Sequence, residues 1–353
     1  MRRASRMPEG GSTSLRLVVM GTGPFAVPMF QTLLASPHEV GLVVTRPDRV
    51  ARGRRPPPNP MRQAAEAAGL PLFAPADINA DEALEHVAAH QPDLLVVCDY
   101  GQILSAAALG TARFGGINLH GSLLPRHRGA APVQWAILEG DATTGLSVIR
   151  MSPRLDAGAV IVCREQPIAA DDTAATLEER LAAGGGEAVL AAVELIAAAG
   201  GGEVGTPQDP AAVTRAPRLT KADGLVDWTL PATQLERRRR ALEPWPRVAT
   251  FFSPEEGRPQ RLVLADVTVG EAAPAGAAPG TVLAVERGEP GGITVACGDG
   301  TTLVVRRLVP EGRRSMTAGE YLRGSSLREG CRLESGDPAR SSLAGAPPNA
   351  STL

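Results

Sequence analysis

Asn118 and His120 stand two residues apart in the run Gly116-Ile117-Asn118-Leu119-His120, and in an extended strand that spacing turns both side chains to one face. The run is apolar apart from these two and is followed by Gly121 and Ser122, so the pair falls where a strand ends. Open α/β sheets collect their ligands at the carboxyl ends of strands. A carboxamide donates through its NH2 group, and an imidazole donates or relays a proton. Side by side they suit an oxyanion developing at a carbonyl under attack. The same two residues could equally do no more than cap the end of a sheet. No Ser-His-Asp set and no cluster with metal-ligand spacing accompanies them, so no metal is expected. Gly21-Thr22-Gly23 is too short for a dinucleotide or phosphate-loop fingerprint and reads as a tight strand–helix turn.

The elements that must position this pair follow from the surrounding pattern. Short apolar runs alternate with helical stretches through the first half, as in βαβ units on a parallel sheet. Strands are predicted over 15–20, 40–45, 94–98 and 116–119, and helices over 25–35, 61–68 and near 105–109. A hairpin-like pair over 145–151 and 159–165 brackets residues 152–158, and another helix starts near Pro132. A long Ala-rich helix is expected over 173–199, weakened in its middle by Gly184, Gly185 and Gly186. Residues 200–219 are poor in periodicity and read as a linker. Short strands are then predicted over 225–228, 248–252, 260–267, 280–284, 292–297 and 301–308, with turns such as Cys297-Gly298-Asp299-Gly300 between them. Such a series forms a small all-β module of OB type. The expected fold class is therefore α/β, a Rossmann-like domain with a parallel sheet over 15–199, followed by a small OB-like β-barrel domain over 220–326. Residues 1–14 are expected to be a disordered extension and 327–353 a disordered tail.

Composition agrees with two domains. The chain has 353 residues, 43% of them apolar, too long for one ordinary domain and too apolar for a disordered chain. No run reaches the roughly 18 consecutive apolar residues of a membrane span, so no membrane partner is expected. The first 14 residues are basic but lack an apolar core, which argues against a secretory signal. Cys98, Cys163, Cys297 and Cys331 lie 65, 134 and 34 residues apart, the pattern of free thiols in a reducing cytoplasm. A net charge of −2 says nothing about nucleic acid, and Arg supplies 35 of the 36 basic residues with Lys221 the lone lysine.

The run beyond His120 continues as Ser122-Leu123-Leu124-Pro125-Arg126-His127-Arg128-Gly129-Ala130-Ala131-Pro132. With Thr45-Arg46-Pro47-Asp48-Arg49, the segment 97–104, Arg154-Leu155-Asp156-Ala157-Gly158, Val226-Asp227-Trp228 and Pro244-Trp245-Pro246, it resembles the formyltetrahydrofolate-dependent formyltransferases. The similarity is closest to the members acting on methionyl-tRNA and extends over about 15–324. It implies a formyltransferase catalytic domain with Asn118, His120 and Asp156 as catalytic trio, where Asp156 alone would be an ordinary loop aspartate. It also implies a folate pocket at Ser122, Leu123, Leu124 and Pro125 and at Tyr100, Gly101, Gln102, Ile103 and Leu104, binding through backbone groups. The implied formyl donor is 10-formyltetrahydrofolate, the implied acceptor is initiator methionyl-tRNA, and the chain would be a cytoplasmic monomer. Three residues depart from the family pattern: Gly23 for proline, Asp99 for a small apolar residue, and His127 for an aromatic. Asp99 puts a charge beside the expected folate pocket.

The acceptor rests on other residues. Residues 46–62 carry six arginines against Asp48 alone, a local balance of +5. A solvated basic loop is one reading of such a stretch. The resemblance implies another, an insertion into the acceptor stem, with Arg52 as reader and Arg49, Arg54 and Arg55 on the backbone. Lys221 matches a family lysine placed to meet tRNA, in a C-terminal tRNA-binding domain. The run Arg237 to Arg240 lies on a helix, with Arg238 or Arg239 leaning on the core. Formylation of an amino-sugar nucleotide, or folate or RNA binding without catalysis, are the alternatives.

Overall fold

The structure is a computed structural model that describes residues 14–48 and 59–336. Residues 1–13, Arg49, Arg52, Arg54, Arg55 and residues 337–353 lie outside the described residues. The described parts of residues 1–136, 142–168 and 176–217 form one compact unit, and those of 137–141, 169–175 and 218–353 form another.

In the first unit the apolar runs become β1 (Arg16–Gly21), β2 (Glu39–Val44), β3 (Leu72–Phe73), β4 (Leu94–Cys98) and β5 (Gly116–His120). Between them lie α1 (Val27–Leu34), α2 (Pro60–Ala67), α3 (Asp81–Ala89) and α4 (Ala106–Leu109). The chain continues through β6 (Arg128–Gly129), α5 (Pro132–Glu139), β7 (Thr143–Arg150), β8 (Val160–Pro167), α6 (Ala174–Ala198) and β9 (Arg215–Ala216). The main sheet has the order β3-β2-β1-β4-β5-β7-β8. β1 to β5 are parallel, and β7 and β8 close the edge antiparallel. β1 and β4 are buried almost throughout, which is why they read as unbroken Leu/Val runs. Strand order reverses between β1 and β4, opening a crevice at their carboxyl ends.

α6 runs unbroken through Gly184, Gly185 and Gly186, three poor helix formers whose place is explained outside the helix. The physical reason is close approach: a Cβ on Gly185 would stand 2.7 Å from Leu119 Cδ2 of β5, and one on Gly186 would run into Thr32 of α1. The glycines let the helix lie against the strand that carries Asn118 and His120. By length and composition α6 could cross a membrane, with a mean hydropathy of 1.6. Its apolar stripe of Leu177, Leu181, Val189, Val193 and Ile196 is buried in this domain, as in a core helix.

Asn59 shows how the arginine loop is anchored. Its side chain accepts from the Arg62 amide (3.0 Å) and caps α2, while its NH2 group donates to Thr45 Oγ1 (2.9 Å) and to the Arg46 carbonyl (3.3 Å). The two ends of the loop are thereby tied together. Asn59→Ala is expected to cost about 1–2 kcal/mol, the loss of a helix cap, measurable as a lowered urea midpoint.

Most of the segment expected to be a linker, residues 200–217, is part of the first unit. Arg215–Ala216 pairs in parallel with Arg128–Gly129, and Thr206 exchanges backbone hydrogen bonds with Val160.

The second unit carries α7 (Ala232–Ala241), β10 (Ala249–Phe252), β11 (Gln260–Val269), β12 (Val282–Glu286), β13 (Gly292–Ala296), β14 (Thr302–Pro310), β15 (Met316–Thr317), α8 (Ala318–Arg323) and β16 (Leu333–Glu334). Its antiparallel sheet has the order β12-β13-β14-β11-β10-β16. Register irregularities in the β11–β14 and β12–β13 pairs bend the strands into an OB-like half-barrel. Residues 225–228 are not a strand: a 3-10 turn at Ala222–Gly224 precedes them, and Leu225 makes a single bridge to Ala249. The chain also does not lose order at 327, because Leu327 is fully buried and Leu333–Glu334 pairs with β10.

Another expectation changes in this unit. It is Arg240, not Arg238 or Arg239, that is buried, bonded to Glu236 (2.7 Å) and to the Asp172 carbonyl (2.9 Å). Arg239 pairs with Glu243 at 3.5 Å and Arg238 donates to the Asp223 carbonyl. Three of the four arginines in this run are therefore occupied within the fold.

Candidate active site

β5 lies between β4 and β7, with Asn118 opposite Val97 and Ile149 and His120 opposite Ser147. His120 is buried and Asn118 half-buried. Among the described residues the Asn118 side-chain amide makes no hydrogen bond, so its donors are uncommitted. Nε2 of His120 lies 3.0 Å from the His127 carbonyl. A carbonyl only accepts, so Nε2 carries the hydrogen and Nδ1 is the atom left to exchange a proton. Nδ1 faces Asp156, whose Oδ2 is 3.9 Å away. The same Oδ2 accepts the Gly129 amide at 2.9 Å. Asp156 has a left-handed backbone, φ +50°, in the turn between β7 and β8. The trio thus comes from a strand end and a strained turn that are 36 residues apart.

The loop after β5 is shaped by a residue the sequence reading missed. Ser147 of β7 accepts from the Leu124 amide (3.0 Å) and donates to the Ser122 carbonyl (2.7 Å). Ser122 donates to the Arg126 carbonyl (2.7 Å), and the Leu124–Pro125 bond is cis. Ser147 sits among apolar β-residues and gives no sequence signal beyond being polar in a buried strand.

The second expected folate segment divides. Tyr100 and Leu104 are core side chains, packed with Val18, Met20, Val97 and Leu109, and burial pushes the Tyr100 hydroxyl up to about 12. Gln102 is spent on Ile78 N (2.9 Å) and the Pro75 carbonyl (3.2 Å), while Ile103 is exposed. The resemblance assigned this segment to the folate pocket through its backbone groups. It is locked to β1 through Thr22, whose amide donates to the Asp99 carbonyl (3.1 Å) and whose hydroxyl donates to the Tyr100 carbonyl (3.1 Å).

Gly23 and Asp99, two separate departures in the sequence, meet here. A Cβ on Gly23 would run into the Asp99 carboxylate, and the Gly23 amide donates to that carboxylate. A proline at 23 would both clash and lack the donor. The Asp99 side chain is accessible to solvent yet flanked by protein, and this desolvation pushes its carboxyl up despite the Gly23 amide. A carboxyl raised in the folded state contributes stability below its ordinary value of 3.8, lost as pH rises through the raised value. Asp99→Asn keeps an acceptor for Gly23 and tolerates φ +46°. The variant should melt above the parent at pH 7, with the two melting temperatures converging in acid.

His127 is buried with φ +57°, and its amide donates to Thr214 Oγ1 at 2.8 Å. Lys221 is exposed beside the 3-10 turn of the second unit. Arg49, Arg52, Arg54 and Arg55 are not among the described residues. No group of three His, Cys, Asp or Glu among the described residues is placed to hold a metal ion, and all four cysteines are free.

Chemically, the crevice offers an uncommitted amide donor, an imidazole with one nitrogen available and a carboxylate near that nitrogen. Such a set can stabilise a tetrahedral oxyanion and receive a proton. Residues 15–193 match the family described as formyl transferase, and 218–326 match the formyl transferase C-terminal domain. The methionyl-tRNA formyltransferase of Rhodopirellula baltica is 42% identical over 336 residues, 92% of this chain and 98% of that one. That of Methylococcus capsulatus is 42% identical over 315 residues, 89% of this chain and 98% of its own. Among solved structures, HypX from Aquifex aeolicus with tetrahydrofolic acid is similar at TM-score 0.56 and 18% identity, over 88% of this chain but only 48% of that longer one. An N-formyltransferase from Helicobacter canadensis, with folinic acid and dTDP-3-aminofucose, has TM-score 0.58 and 14% identity over 82% of this chain and 98% of its own. These two likenesses speak for the fold alone. Full-length identity above 40% to proteins of one activity is a stronger tie, and the chain belongs to the formyl transferase family, in its methionyl-tRNA formyltransferase branch.

Proposed function

We propose that the chain transfers the formyl group of 10-formyltetrahydrofolate to the free α-amine of initiator methionyl-tRNA, with Asn118, His120 and Asp156 as its catalytic residues. The observation that carries the chemistry is the meeting of these three side chains at the carboxyl end of β5, with His120 Nδ1 turned to Asp156 at 3.9 Å. The acceptor is supported by identity of about 40% to tRNA-formylating relatives over both domains.

The amine nitrogen attacks the formyl carbon, and the carbonyl oxygen gains negative charge. The Asn118 NH2 group and the Nδ1–H of protonated His120 donate to that oxygen. Asp156, which faces Nδ1 of His120 at 3.9 Å, takes the proton the amine loses, directly or through water. The carbon–N10 bond then breaks, the proton taken up by Asp156 is delivered to N10, and formylmethionyl-tRNA and tetrahydrofolate are released. The backbone of Ser122, Leu123, Leu124 and Pro125, and that of Tyr100 to Leu104, are the groups suited to hold the folate. The first stretch follows β5 and the second follows β4 at the switch point of the sheet, and the side chains of Ser122, Tyr100, Gln102 and Leu104 are engaged elsewhere.

The tRNA would be held by Arg49, Arg52, Arg54, Arg55 and Lys221. Phosphate contacts of this kind make affinity fall steeply with salt. In this reading the chain acts as a cytoplasmic monomer without a membrane partner, and residues 220–326 grip the tRNA body. The test mixes purified chain, charged initiator tRNA and 10-formyltetrahydrofolate and looks for formylmethionine. Its appearance supports the proposal. No product, or formylation of an amino-sugar nucleotide instead, would overturn it.

A further inference from the structure

Gln208 lies in the stretch that the sequence presents as a linker, 52 residues from Asp156 and 80 from Arg128. Its NH2 group donates to the Asp156 carbonyl and to the Gly158 carbonyl, both at 2.8 Å. Its Oε1 accepts from Nε and Nη2 of Arg128 at 3.0 and 2.6 Å. Both donors and the acceptor are therefore used, and flipping the amide would set its oxygen against two carbonyls and its NH2 against a guanidinium. Only glutamine's combination of groups at this length satisfies both sides.

The two loops so joined are those that set the catalytic geometry. One holds Asp156 in a left-handed conformation. The other holds His127, also left-handed, whose carbonyl orients His120, and Gly129, whose amide binds the Asp156 carboxylate. Residues in such conformations persist only where their surroundings over-determine them. The same strip supplies Thr214 to the His127 amide and β9 to β6. It clamps one loop along its backbone, and Gln208 extends that clamp across to the other.

We infer that Gln208 is a positioning residue that sets the separation of His120 and Asp156 by bridging the turn of one to the loop of the other. The inference rests on the proposed catalytic role of that pair. Gln208→Glu is nearly isosteric and keeps an acceptor for Arg128, but it loses both donors to the carbonyls. It should lower kcat about 10–100-fold, the scale of a displacement near 1 Å, with KM for 10-formyltetrahydrofolate close to that of the parent. Gln208→Ala should do the same. In an Asp156→Asn background, Gln208→Glu should change the residual single-turnover rate less than about twofold, because residues acting through one another are not additive. A residue that serves stability alone would lower the rate equally in both backgrounds.

A second readout does not depend on activity: amide hydrogen exchange at Gly129, protected by the Asp156 carboxylate, should accelerate in Gln208→Glu. Parental turnover in Gln208→Glu, a full loss persisting in Asp156→Asn, or unchanged protection at Gly129 would each overturn the inference. If Asp156→Asn itself turned over like the parent, the catalytic assignment would fail instead, and Gly129 exchange would still decide whether the bridge holds the turn.

Discussion

Asn118→Ala, His120→Ala and Asp156→Ala are each expected to lose about 100–1000-fold in kcat, or ~3–4 kcal/mol of transition-state stabilisation. The three losses have different origins. Asn118 makes no side-chain hydrogen bond among the described residues, so its removal should leave the melting temperature close to that of the parent. His120 is buried and bonded to the His127 carbonyl, so its loss also strands an acceptor, at about 1–3 kcal/mol of stability. Asp156 has two duties, holding Gly129 and facing His120. Asp156→Asn separates them, since the amide oxygen still accepts from Gly129 while the charge is gone. Turnover in Asp156→Asn should fall almost as far as in Asp156→Ala, with the stability loss confined to the alanine variant. Single-turnover formylation and thermal melts on the same preparations check both parts, and near-parental turnover in any of the three would remove that residue from the mechanism.

Trp228→Ala should be the most destabilising single change in the second unit, at about 3–5 kcal/mol. The indole is 1% exposed and is among the largest fully buried side chains. Its Nε1–H donates to Thr250 Oγ1 (3.0 Å), and its backbone amide donates to Ser335 Oγ (2.9 Å). Thr250 in turn donates to the Glu334 carbonyl (2.9 Å). Trp228 therefore ties β10 to its neighbour β16, the edge strand of the sheet. The melting transition of this unit should drop sharply in Trp228→Ala, whereas Trp228→Phe, which keeps most of the buried area, should lose about 1–2 kcal/mol. Truncation after residue 326 should also destabilise this unit, because it removes β16 and Ser335. A Trp228→Ala variant within ~1 kcal/mol of the parent would mean that the tryptophan does not carry this corner of the sheet.

Features that depend on neighbours in the chain were legible before the structure. The period of two put Asn118 and His120 on one face, and the alternation of apolar and helical runs announced a parallel sheet. The run from Ser122 to Pro132 indicated the reaction class through its resemblance to a known family. The first two depend on at most a few adjacent residues, where spacing and backbone geometry are enough.

Contacts between distant segments were not legible. Gln208 and Thr214 looked like linker because a polar, Pro/Gly-rich stretch has no period, and their partners lie 50 to 87 residues away. Ser147 was hidden in a buried strand, where its bonds to Ser122 and Leu124 depend on which strand lies beside β5. Gly23 and Asp99 looked like unrelated departures until β1 and β4 set them side by side. Gly185 and Gly186 looked like defects in a helix until the strand beneath it supplied the reason. Burial chose Arg240 from a run of four identical residues, which nothing local could distinguish.

By itself, then, the sequence determined the chemistry available, the order of the elements and the strand that carries Asn118 and His120. The tertiary structure decided that Nδ1 of His120 is the nitrogen left to work, that Asp156 meets it from a strained turn, and that the supposed linker holds the two together. The physical reason is range: strand and helix periods are local properties of a chain, whereas hydrogen bonds between loops exist only once the sheet order has chosen which loops meet.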